Sequence, residues 1–220
     1  TSKLVLGTAQ LGGAYGINNS FGQPSHKAGK EIIKEAVSNG VIYLDTANSY
    51  GESEHVIGNF LKDGWSERVK VITKLSNINP NDLIESNKHV EKFVDASIYQ
   101  SCSRLGTNVL DVLMLHRADH ITKWKGAVLE RLLELKSNGV INKLGVSVQS
   151  PSELEQVLGN SDIEFIQLPF NLLDWRWEKL ALPILAEKKK RNLNIHIRSV
   201  FLQGLLLSKS EKKIKYEKFF

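Results

Sequence analysis

The chain has 220 residues, 41% hydrophobic and 24% charged, with a formal net charge of +5. That length suits one domain with a sizeable core, and the composition lies near the average of globular proteins, which excludes a disordered chain or a fibrous repeat. The single cysteine, Cys102, can form no internal disulfide and no thiolate zinc site, a count that fits a reducing compartment.

Short apolar, β-branched runs alternate with longer segments of helical period. Residues 4–6 open the series as a strand, and 30–38 follow as a helix stopped at Asn39-Gly40. The next strand-helix pairs are 41–44 with 54–61, 69–72 with 90–105, and 109–115 with 127–136, the last helix stopped at Asn138-Gly139. Residues 143–146 precede a helix at 152–158, which Ser150-Pro151 opens with a capping hydroxyl and a proline. Strand 165–168 precedes helix 180–190, and 193–197 is the seventh strand. Each helical segment places apolar residues three and four apart, as a helix burying one stripe against a sheet requires.

This alternation predicts an α/β fold, a TIM-type (β/α)8 barrel with about seven strands visible. No linker rich in proline or glycine divides the chain, so residues 1–220 read as a single domain lacking the final βα unit. The charged, roughly amphipathic segment 208–220 is expected to form an outer helix.

In such a barrel, polar residues at the C-terminal ends of the strands converge on one mouth. Asp45 closes the second strand, Lys74 the third and His116 the fourth, while Tyr50 sits in the loop after Asp45. Together they make a coherent proton donor. A phenol titrates near pH 10, and a neighbouring ammonium eases loss of its proton. Asp45 would keep that ammonium charged in a partly dry site, and His116 would hydrogen-bond the substrate oxygen.

The stretch Asp45-Thr46-Ala47-Asn48-Ser49-Tyr50-Gly51-Glu52-Ser53-Glu54 resembles the aldo-keto reductase signature D-T-A-x-x-Y-G-x-S-E. Val71-Ile72-Thr73-Lys74, Leu113-Met114-Leu115-His116-Arg117 and the run from Gly139 to Ser147 are similar to further stretches of that family, in the same order. The resemblance covers the chain from residue 4 to about 207. It implies a nicotinamide-dependent oxidoreductase that interconverts a carbonyl and an alcohol. In that reading Tyr50 is the general acid, Lys74 and Asp45 tune it, and His116 orients the carbonyl. Ser147 and Gln167 would hold the nicotinamide carboxamide, Gly7 and Thr8 would approach its ribose, and Ser199 and Gln203 would lie in the pyrophosphate loop. The resemblance implies NADP, with NAD left open, because the family's grip on the 2′-phosphate lies around its eighth strand. Two departures stand out: Val148 replaces a common asparagine, and Arg198 takes a place where many relatives stack an aromatic ring on the nicotinamide. A guanidinium plane can stack there too, but it adds positive charge.

Each of these residues also has a structural reading. Asp45 and Lys74 could be an ion pair filling the mouth, Tyr50 a packing ring and His116 a satisfied strand-end histidine; their joint occurrence in one ordered pattern favours the active site. Trp175 and Trp177 could line a substrate wall or pack on the next helix. His26, His55, His89, His120 and His196 lack partners at metal-ligand spacing, so no metal site is expected. The positive excess sits partly in the runs 188–191 and 209–218, which read as solvated helix faces, and no nucleic-acid partner is expected. No apolar run approaches the ~18 residues that span a bilayer and no leader pattern opens the chain, so no membrane partner is expected and a cytoplasmic location follows. The partner that remains is a small-molecule carbonyl or alcohol substrate. The competing reading is a catalytically weak nicotinamide-binding sensor or regulatory protein that retains the barrel.

Overall fold

The computed structural model describes residues 3–17, 19–78 and 86–207. Its strands are β1 (Val5–Gly7), β2 (Tyr43–Asp45), β3 (Lys70–Lys74), β4 (Leu110–Leu115), β5 (Ile141–Ser147), β6 (Phe165–Pro169) and β7 (Asn194–Arg198). They form one parallel sheet whose spatial order is the chain order. A one-turn helix α1 (Ala9–Gly12) follows β1, then α2 (His26–Ser38), α3 (Ser53–Phe60), α4 (Asn87–Leu105), α5 (Ala127–Ser137), α6 (Pro151–Leu158) and α7 (Ala181–Lys190). Repeated crossovers of one hand lay each helix on the same side of the sheet.

The sheet curls on itself. Tyr43 of β2 meets Phe165 of β6 and His196 of β7 edge-on, with ring centroids 6.0 and 5.5 Å apart, so strands four and five places distant touch across the interior. A nearly closed barrel results, in which β1 and β7 are the two edges of the sheet. Successive strand residues point to opposite faces. Accordingly Ile72, Val112, Met114 and Phe165 fill the interior, while Leu44, Leu113, Val146 and Ile166 face helix residues such as Ile33, Ile57, Ile98 and Leu132 in the larger outer layer. Gly145 makes room for the inner packing, since a Cβ there would lie 2.8 Å from the Phe165 Cβ and 2.9 Å from the Met114 Cγ. Ile197, on the outward face of β7, is 44% exposed, and Leu4, Ile32, Leu182 and Leu185 are exposed as well.

Helix ends follow the predicted chemistry. The Ser150 Oγ accepts from the Glu153 N–H, Pro151 is the first residue of α6, and Gly40 and Gly139 leave α2 and α5 at φ of +90° and +75°. Two helices start earlier than the apolar period predicts. α2 begins at His26 because Ser25 caps it by accepting from the Ala28 N–H, and α4 begins at Asn87; their first turns are polar and carry no periodic signal. The predicted helix at 208–220 lies outside the described residues. Among the described residues no helix is long and apolar enough to cross a membrane.

Candidate active site

Because all seven strands run the same way, their C-terminal ends share one rim, and the predicted residues Asp45, Lys74, His116, Ser147, Gln167 and Arg198 stand at or beside it. The Lys74 Nζ donates to the Asp45 Oδ1 at 2.6 Å and to the Thr46 carbonyl at 2.8 Å. Lys74 is buried and Asp45 partly so. The same ammonium lies 5.1 Å from the Tyr50 ring centroid, and the His116 ring stands nearly perpendicular to that of Tyr50, with centroids 6.3 Å apart. All four residues of the predicted proton donor are therefore neighbours.

The loop that carries Tyr50 is held by its own sequence. Three hydroxyls donate in series, Thr46 to Ser53 at 2.9 Å, Ser53 to Thr8 at 2.7 Å, and Thr8 to the Asp45 carbonyl at 2.9 Å. Glu54, fully buried, accepts from the Thr73 hydroxyl at 2.6 Å and from the Arg104 guanidinium at 3.4 Å, and Arg104 also donates to the Asn48 carbonyl at 3.1 Å. Gly51 sits at φ +51° against Gly12, where a Cβ would fall 1.6 Å from the Tyr50 carbonyl oxygen. Only glycines let the loops after β1 and β2 approach so closely. In this stretch Thr46, Ser53 and Glu54 build the loop, while Asp45 and Tyr50 line the mouth.

Burial, and next the positive charge of Lys74, pushes the His116 imidazole down to about 4, so it is neutral near pH 7. Its Nδ1 is buried without a hydrogen-bond partner. Ser147 and Gln167 are register partners on β5 and β6, and both are buried. The Gln167 amide donates to the Asp45 Oδ1 at 3.1 Å; a carboxylate only accepts, so the amide NH2 must face it and Oε1 must face away. That oxygen is buried and unpartnered.

The remaining predicted positions divide. Gly7 and Gln203 come together on the wall of a cleft of about 430 Å3, shared with Gln10, Asn19 and Ile32 and lined by none of Asp45, Tyr50, Lys74 or His116. Gln203 is further tied to the loop after β1, its Oε1 accepting from the Ile17 N–H at 3.0 Å. Ser199 and Gln203 both hold positive φ, 63° and 55°. Thr8 is fully buried with its hydroxyl inside the series just described, which turns it away from the mouth. Arg198 reaches across the rim to donate to the Val148 carbonyl at 3.3 Å and the Gln149 Oε1 at 2.6 Å. Val148 itself packs in the core.

Of the two tryptophans after β6, Trp177 is buried and donates to the Asp174 carboxylate at 3.2 Å, whereas Trp175 is 79% exposed. No cluster of metal-ligating side chains occurs among the described residues. Sequence reasoning missed Gln149, Arg104 and Gly12. The paired glycines Gly12 and Gly51 were the available signal for the loop contact; nothing in the sequence marks Gln149 as the seat of Arg198.

The model of the aldo/keto reductase family matches residues 3–219. The chain is similar to the aldo-keto reductase YhdN of Bacillus subtilis, 26% identical over 98% of this chain and 63% of that protein. It is likewise similar to the NADH-specific methylglyoxal reductase of Escherichia coli, 27% identical over 93% of this chain and 65% of that protein. The solved holo structure of AKR11C1 from Bacillus halodurans superposes with a TM-score of 0.73 at 25% identity, covering 93% of this chain and 64% of that one. The chain thus spans somewhat under two thirds of the length of these relatives. With that match running over nearly the whole of a parallel barrel, the chain belongs to the aldo/keto reductase family.

Proposed function

We propose that this chain carries the site of an NAD(P)H-dependent oxidoreductase that interconverts an aldehyde or ketone with an alcohol. The observation that carries the reading is the meeting of the Tyr50 ring, the Lys74–Asp45 pair and the His116 ring at one rim of the barrel. A nicotinamide fits the chain's own groups: the orphaned Gln167 Oε1 is an acceptor suited to a carboxamide NH2, with Ser147 alongside on β5. When bound, the reduced nicotinamide supplies a hydride to the carbonyl carbon.

Tyr50 then works at the oxygen. As the C=O π pair moves onto oxygen, the Tyr50 phenol hands over its proton, and the phenolate left behind takes another from solvent. The Lys74 ammonium, 5.1 Å from the ring centroid, stabilises that phenolate, and Asp45 holds the ammonium in place. Neutral His116 donates one N–H toward the carbonyl oxygen without competing to transfer a full proton. Gly7 beside the open cleft suits an approaching ribose; Thr8 would contribute there through its backbone, since its hydroxyl is engaged. Ser199 and Gln203 belong to the segment proposed to cover the pyrophosphate, and the Arg198 guanidinium is placed at the edge of the nicotinamide. Between the two cofactors NADP is proposed, with the NADH-specific E. coli relative favouring NAD as the second choice.

The test is Tyr50→Phe. Loss of a positioned general acid lowers turnover by about 10²- to 10⁴-fold, read as oxidation of reduced nicotinamide with generic aldehydes. The dissociation constant for the dinucleotide, read from tryptophan fluorescence, should stay within about twofold. Retained turnover, or loss of dinucleotide binding, would assign Tyr50 a packing role and remove the proposal's acid.

A further inference from the structure

Among the described residues, the Arg198 guanidinium is the cation at the mouth without a carboxylate partner. Lys74 is paired with Asp45, and His116 is neutral. Arg198 hydrogen-bonds only the Val148 carbonyl and the Gln149 side-chain oxygen, both neutral, and its Nε–H is buried with no acceptor. Two carboxylates lie within its electrostatic reach, and each is committed elsewhere. Asp45 accepts from Lys74 and Gln167, and the Glu153 Oε2 accepts from the Gln149 N–H at 2.7 Å. Burial lowers the Arg198 pKa from its ordinary value, the direction expected of a guanidinium that has lost water and gained no counter-ion.

Its placement says where an anion would sit. Arg198 ends β7 on the inward face, and its charge is felt at both Tyr50 and His116, so it looks onto the space where the carbonyl reacts. Tyr15, from the loop after α1, lies within its electrostatic reach too, adding a phenol to that wall. Two bonds through one nitrogen, Nη2, fix the side chain and leave Nη1 with no acceptor among the described residues. A charged, anchored, half-used guanidinium is a good receptor for a carboxylate or phosphate, which it can meet with short charge-assisted hydrogen bonds.

Building on the reductase reading, we infer that Arg198 forms an anion subsite at the mouth, so that this chain selects carbonyl substrates bearing a carboxylate or phosphate close to the reacting carbon. The same charge could instead serve a phosphate of the dinucleotide, and the experiment separates the two sources.

Succinic semialdehyde and butanal, four-carbon aldehydes differing in one carboxylate, are compared as substrates for the wild type, Arg198→Gln and Arg198→Lys. Succinate, which cannot react, is titrated by calorimetry into each protein saturated with oxidised dinucleotide. The expected result is a kcat/KM ratio favouring succinic semialdehyde by about tenfold or more in the wild type, the scale of one charge-assisted contact. That ratio falls towards one in Arg198→Gln and is partly kept in Arg198→Lys, and succinate binds the wild type but not Arg198→Gln. A wild-type ratio near one with no succinate binding overturns the subsite while leaving the reductase reading intact. An unchanged ratio in Arg198→Gln together with a raised dissociation constant for the dinucleotide also overturns it, assigning the charge to the cofactor. Succinate binding that depends on Arg198 in a protein that turns over neither aldehyde upholds the subsite and removes the reductase reading.

Discussion

Arg104 gives the sharpest test of how the Tyr50 loop is built. Arg104→Met would leave the Glu54 carboxylate fully buried with only the Thr73 hydroxyl as partner, and would free the Asn48 carbonyl in the same loop. Removing one partner of a buried pair costs about 3–5 kcal/mol because the survivor keeps its desolvation penalty. Here the contact is long, at 3.4 Å, and the Arg104 side chain is 23% exposed, so the lower end, about 3 kcal/mol, applies. For a domain of this size that corresponds to a fall in Tm of roughly 6–12 °C. Urea unfolding followed by tryptophan fluorescence measures it. The paired variant Glu54→Met with Arg104→Met, which removes both charges and keeps apolar bulk, should recover most of the loss. At a temperature where Arg104→Met remains folded, turnover should fall further than dinucleotide affinity, because the loop carries Tyr50 and not the cleft at Gly7. A cost below about 1 kcal/mol, or a double variant no better than the single, would refute the account of Glu54 as a charge that needs its guanidinium.

Two further outcomes follow from packing and from titration. Gly58→Ala places a Cβ 2.2 Å from the Arg104 carbonyl oxygen, a backbone atom that cannot swing away, so α3 and α4 must part. A loss of about 1–3 kcal/mol in chemical denaturation is expected, and a neutral result would mean the helices are free to separate. His116 titrates near 4 in the fold and near 6.5 unfolded, so between those values the unfolded chain takes up a proton that the fold refuses. Stability is complete above about pH 6.5 and falls as pH drops towards about 4, by up to roughly 3 kcal/mol from this group. His120 and His196 shift in the same direction and add to the slope. Melting curves from pH 7.5 to 4.5 should therefore be shallower for His116→Gln than for the wild type; identical slopes would show that His116 takes up its proton equally well in both states.

The strands were legible because a parallel sheet covered on both sides demands near-continuous apolar runs, and 69–72, 109–115 and 165–168 are such runs. The first turns of α2 and α4 were not, since Ser25 and the polar residues after Ser86 contribute caps and no periodicity. At the rim, one rule of topology sufficed to pick out Asp45, Lys74 and His116, since in a parallel barrel the strand ends face the mouth, whereas Ser147, Gln167 and Arg198 came only with the family resemblance. Trp175 and Trp177 show where such rules stop. Both stand in one short 3-10 turn, and Trp177 is the one packed in the core, with its indole N–H donated to the Asp174 carboxylate, an arrangement no periodicity encodes. The same limit governs the charges. Strand-end position puts Asp45 and Arg198 on one mouth, but it cannot tell that Asp45 is already taken by Lys74 and Gln167, while the nearest side-chain acceptor for Arg198 is the neutral amide of Gln149, 49 residues away in sequence. Which residues meet at the mouth follows from topology; which of them still has a charge to offer a substrate follows only from the hydrogen bonds each has already made.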